Sequence, residues 1–146
     1  MDVTMKKTYV ILAMIILVAL AFSFCSKSSG PSPEFKYLGT WIGQNSFADS
    51  VEIRVANVSN KQKVTYIKLI VAIRGDSMSY TFSSTSGLTE IADTTFSYTA
   101  VEPGIGDTTW ITVDGTFQSE TLLNGGFDIL ITDEPPITGT YTATKQ

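Results

Sequence analysis

The chain has 146 residues, with 10 Lys+Arg against 14 Asp+Glu, a formal charge of −4, no histidine and one cysteine. Without His there is no Ser-His-Asp or Cys-His catalytic pair and no imidazole metal ligand, and a lone Cys forms neither an internal disulfide nor a thiolate zinc cage. The acidic balance argues against nucleic acid as a partner, because phosphate binding needs clustered cations.

The first element is an export segment. Lys6 and Lys7 precede an unbroken apolar run of 14 residues from Tyr9 to Phe22, followed by Ser23, Phe24 and Cys25 and then by small polar residues. A positive n-region, an apolar h-region and a cleavage region make a signal peptide, expected over residues 1–24 as an N-terminal signal helix. The run is shorter than the roughly 20 apolar residues of a permanent membrane span.

The only cysteine stands immediately after this h-region, and over residues 5–30 the chain resembles bacterial lipoproteins. The resemblance implies cleavage before Cys25 and lipidation of its sulfur, with acyl chains such as palmitate holding the protein in the membrane. Each buried methylene contributes about 0.8 kcal/mol, so two or three chains make the anchor lasting. The segment leaves other routes open: type I cleavage after Ala21 or Ser23, giving a secreted or periplasmic protein, or retention as an uncleaved anchor. The expected location is the bacterial cell envelope, at the inner or outer membrane.

Residues 25–35 form the anchored spacer. Ser26 to Glu34 reads Ser-Lys-Ser-Ser-Gly-Pro-Ser-Pro-Glu, the composition of a flexible, disordered link.

Residues 36–146 are expected to be an all-β domain. From Cys25 onward the net charge is −5, and Thr (18) and Ser (14) are abundant, suiting sheets with one wetted face. Apolar residues alternate with polar ones at Leu38–Gln44, Val51–Val55, Ile67–Ile73, Met78–Phe82, Phe96–Ala100, Ile111–Phe117, Phe127–Ile131 and Ile137–Lys145, the period of a half-buried strand. Turn residues separate the runs at Asn57–Asn60, Gly75-Asp76, Ser83–Gly87, Pro103–Asp107, Asn124–Gly126 and Asp133–Pro136. Ile67–Ile73 carries apolar residues in both phases and is expected to be the most buried strand. Eight or nine short strands without helices predict a small antiparallel up-and-down barrel, with a β-sandwich as the alternative. The barrel is preferred because the first and last strands both alternate and could pair to close the sheet.

Gly39-Thr40-Trp41 on the first strand, echoed by Gly115-Thr116-Phe117 and Gly139-Thr140-Tyr141, resembles the calycin group, the lipocalins and their relatives. That resemblance implies a lipocalin-like barrel holding a small apolar ligand. The same three units have a structural reading: glycine relieves crowding where a strand bends, and an aromatic ring fills the space.

The carboxylates fall in turn-like contexts, at Asp49, Glu90, Asp93, Asp107 and Asp133-Glu134, without the alternating spacing of a calcium loop. Lys61, Lys63, Lys68 and Arg74 gather around one hairpin, either as a solvated strand face or as a contact to anionic lipid. No catalytic residue, metal site or cofactor is expected. The sequence predicts a non-enzymatic envelope lipoprotein, anchored through Cys25, whose domain binds a small apolar ligand or an envelope protein. The alternative is an accessory carbohydrate-active or degradative module.

Overall fold

A computed structural model of the chain describes residues 35–73, 75–103 and 108–146, and the elements in it are all strands. The expected signal peptide, Cys25 and the expected spacer up to Glu34 lie outside the described residues, as do Arg74 and the segment 104–107.

The strands are β1 (Gly39–Asn45), β2 (Ser50–Val58), β3 (Lys61–Ile73), β4 (Asp76–Ser83), β5 (Thr89–Glu90), β6 (Thr95–Pro103), β7 (Thr108–Phe117), β8 (Leu122–Ile131) and β9 (Ile137–Lys145). All belong to one sheet, in the order β4-β3-β2-β1-β9-β8-β7-β6, with the short β5 on β3. One continuous sheet is the arrangement of a barrel-like fold. Every neighbour pair is antiparallel, and the predicted pairing of the terminal strands is present, with Trp41 opposite Lys145 and Asn45 opposite Tyr141. The sheet is curled and barrel-like, with β4 and β6 as its edges.

Local chemistry explains the connections. Ser59 and Asn60, with φ of 55° and 61°, form the two-residue link between β2 and β3. Positive φ at both central residues is the turn whose twist matches that of a hairpin. A bulge interrupts the β2–β3 register, since Arg54 faces Tyr66 and Val55 faces Val64, leaving Thr65 over. The extra residue resets the phase, so Val64 and Ile67 both point inward and both have 0% exposure.

Alternation then delivers one apolar face per strand to a common interior. Val51, Ile53, Leu69, Val71, Ile111, Val113, Leu123 and Ile129 are all fully buried there. The outward phase of β3 is less covered than its composition predicts: Ile70 is half-buried and Ala72 exposed. The predicted turn at Asn124–Gly126 is corrected by the structure. Those residues continue β8, paired with β7 and β9, and the chain reverses instead at Gln118–Thr121. Glycine stands in mid-strand because a side-chain carbon on Gly125 would run into the ring of Tyr141.

Candidate functional site

Trp41, Phe117 and Tyr141 are the interior rings that could line a ligand cavity as well as fill a core. Their exposures are 0%, 3% and 3%. The Tyr37 ring stacks on Phe117 at 4.2 Å, and the Trp41 ring meets Phe117 edge-on at 4.9 Å. Trp41 Nε1–H donates to the Tyr37 carbonyl at 2.9 Å, and the Tyr37 amide donates to Gln62 Oε1 at 2.7 Å, which draws residue 37 over that end of the strands. The Tyr141 hydroxyl donates to the Asp114 carbonyl at 2.7 Å. The Trp41 indole N–H and the Tyr141 hydroxyl thus have partners inside the fold, and these rings are core.

The Gly-Thr-aromatic units divide between two roles. Gly115 lies against Phe96 and Tyr141, and Gly139 against Phe127, so both glycines make room for rings from neighbouring strands. Gly39, with φ of 130°, lies instead beside the aliphatic stem of Lys145.

At the opposite end, the β1–β2 turn is tied down by Asn45, which is 6% exposed. Its side-chain amide donates to the Ile70 carbonyl at 2.7 Å, while its oxygen accepts the amides of Phe47 and Asp49. Asp49 in turn accepts the Ala72 amide at 2.6 Å, so this carboxylate is a strand brace. Glu90 pairs with Lys61 at 2.8 Å, and Glu52 with Arg54 at 2.7 Å. Lys63 donates to the Ser86 carbonyl at 3.2 Å. Of the cations grouped on the β2–β3 hairpin, Lys61 and Lys63 thus hold partners within the protein. Among the described residues no three carboxylate or thiol groups come together as a metal site would require.

The outer face of β6 to β9 is different. In β7 the inward phase is Ile111, Val113, Gly115 and Phe117, and the outward phase is Trp110, Thr112, Asp114 and Thr116. Trp110 therefore lies on the wetted side, 41% exposed, where alternation calls for a polar residue. It does so in company. Trp110 stands directly opposite Val101 on β6 and Leu130 on β8, which are 55% and 46% exposed.

The next row outward-facing across the strands is Thr99, Thr112, Asp128 and Thr138, with the Thr99 and Thr112 hydroxyls 3.1 Å apart. Beyond it come Ser97, Asp114, Gly126 and Thr140, then Thr95, Thr116, Asn124, Thr142 and Gln44. One apolar row thus borders three rows of hydroxyl, amide and carboxylate groups, none of them Lys or Arg. Sequence reasoning passed over Trp110, although the signal was present in its phase: a large aromatic among Thr and Asp.

No protein-family model matches the chain, and no curated protein or solved structure is detectably similar to it.

Proposed function

We propose that the chain is a membrane-anchored bacterial envelope lipoprotein whose domain is a non-enzymatic binding module, built as an up-and-down, lipocalin-like barrel. The observation that carries the binding role is the packed interior. A carrier barrel needs apolar space of roughly 300 Å³ or more for a drug-sized ligand. Here Trp41, Phe117, Phe127 and Tyr141 occupy the inner face at 3% exposure or less, which favours recognition on the outer surface over carriage within.

The anchor reading rests on the position of Cys25 after the apolar run. A Cys25→Ala variant should move from the membrane fraction to the soluble one and lose its label when cells are fed a radioactive fatty acid. An unchanged distribution would overturn lipidation in favour of an uncleaved N-terminal helix.

A degradative module is the second reading. The exposed Trp110 suits it equally, but hydrolysis also needs a proton donor and a base flanking the scissile bond. The carboxylates of the polar rows, Asp128 and Asp114, stand one and two rows from Trp110 on an open, solvent-bathed face.

A further inference from the structure

We propose that the outer face of β6 to β9 binds a neutral polysaccharide chain, with Trp110 as the stacking platform and Asp128 as the principal acceptor. This rests on the reading of the domain as a binding module and names its ligand class.

Directly opposed residues on neighbouring strands have Cβ atoms about 5 Å apart. Val101, Trp110 and Leu130 therefore make one continuous strip across three strands, as the registers place them. Exposed apolar side chains in a contiguous group, rimmed by polar ones, mark recognition surfaces. Tryptophan is the residue most enriched among those that carry binding energy.

The polar rows decide what is recognised. A pyranose ring offers C–H groups on its flat side and hydroxyls around its rim. The strip can take the flat side, while Thr99, Thr112, Asp128 and Thr138 in the next row can take the rim. Asp128 and Asp114 accept hydroxyl protons, and bonds to charged acceptors are the stronger ones. Ser, Thr, Asp and Asn are short, so ordering them on binding costs little entropy compared with Lys, Arg or Glu.

Charge disfavours the anionic competitors. An anionic glycan, a phosphate or a lipid headgroup would approach two carboxylates with no Lys or Arg in these rows. A second copy of the chain would bring the same acids face to face, with −5 on each mature chain. A neutral chain of hydroxyls meets neither penalty.

The test exploits the chain's two tryptophans. Trp41 has 0% exposure and Trp110 41%, so collisional quenching by acrylamide reports Trp110 almost alone. The full chain in detergent micelles is titrated with laminarin, yeast mannan and hydroxyethyl cellulose as neutral probes, and with alginate as the anionic one. At least one neutral probe should shield Trp110 from acrylamide, and alginate should not. Trp110→Ala, followed by affinity electrophoresis, should weaken binding roughly tenfold or more. Asp128→Asn should weaken it by about tenfold. Tyr66→Ala, on β3, should leave it unchanged.

Shielding by none of the neutral probes, equal shielding by alginate, or undiminished binding by Trp110→Ala would overturn the proposal. So would shielding that grows with protein concentration and no glycan, which would assign the strip to a second copy. Release of new reducing ends from a bound probe would sink the non-enzymatic reading while supporting the glycan face. The two ideas therefore fail separately.

Discussion

Tyr141 places a phenol where the sheet admits almost no water. Its hydroxyl is satisfied by the Asp114 carbonyl at 2.7 Å, and Gly115 and Gly125 clear the space its ring occupies. Burial first, and the nearby Asp114 carboxylate second, push its pKa well above the ordinary tyrosine value. In the unfolded chain the phenol titrates at about 10. Below that pH both states keep the proton and the group's contribution is fully present. Above it the unfolded state releases the proton and the folded state holds it, so stability falls as pH rises. Tyr141→Phe should cost about 1 kcal/mol at neutral pH in urea unfolding, through the lost hydrogen bond. Between about pH 9 and 11 the variant should lose less stability than the parent chain, because one linked group is gone. Parallel losses in the two proteins would show that another group, such as Tyr80, sets the alkaline limit. Tyr80 too is raised, by burial and then by Glu102.

At the scale of the element, the joint between β1 and β9 decides whether the sheet can curl. Gly43 faces Ala143 there, and a side-chain carbon on Gly43 would strike the Thr142 carbonyl and the Ala143 Cα. Both are backbone, which cannot step aside as a flexible side chain can. Gly43→Ala should therefore destabilise by about 1–3 kcal/mol, the scale of overpacking. Gly126→Ala is the contrast, since its nearest neighbour would be an Asp114 carboxylate oxygen at 3.4 Å. Replacing a mid-strand glycine without a clash should be neutral or stabilise by up to about 1 kcal/mol. Thermal melts of the two variants check both, and equal melting temperatures would refute the close-approach argument. These positions also show what was legible in the sequence. Period-two alternation gave the strands and the pairing of the terminal ones, because burial on one face is written residue by residue. Asn124-Gly125-Gly126 misled, because turn and crowded strand use the same glycines, and only the Asp114 carbonyl from β7 and the Tyr141 ring from β9 tell them apart. The bulge at Thr65 and the Asn45 brace depend on partners in other strands, which no local pattern encodes. Trp110 was legible in phase, but its meaning came from Val101 and Leu130, which lie beside it only once the register is set.

For the molecule as a whole, the curl leaves one seam. β4 and β6 end the sheet, and among the described residues they exchange no backbone hydrogen bonds. What joins them is side chains: the Phe82 and Tyr98 rings lie 5.4 Å apart, and Tyr80 feels the charge of Glu102. An edge with unpaired N–H and C=O groups invites pairing with another chain, and covering it is one way proteins manage the hazard. Phe82, 9% exposed, belongs both to the core and to this cover. Such a seam predicts a gradient of local stability. Opening β4 from β6 breaks side-chain contacts such as the Phe82–Tyr98 pair, with backbone bonds only at the end where β5 pairs with β3 and turns through the Ala92–Thr95 bridge into β6, whereas opening β1 from β9 breaks a ladder. Amides at the centre of the sheet, in β1, β9 and β8, should be protected from hydrogen exchange to nearly the global free energy, and those of β4 and β6 much less. Phe82→Ala should cost about 3–5 kcal/mol in global stability, as for buried aromatics generally. Beyond that loss, it should raise exchange in β4 and β6 together while the ranking of the central strands is preserved. If only β4 responds, the two edges open independently, and the ring contact across the seam does not hold the curl.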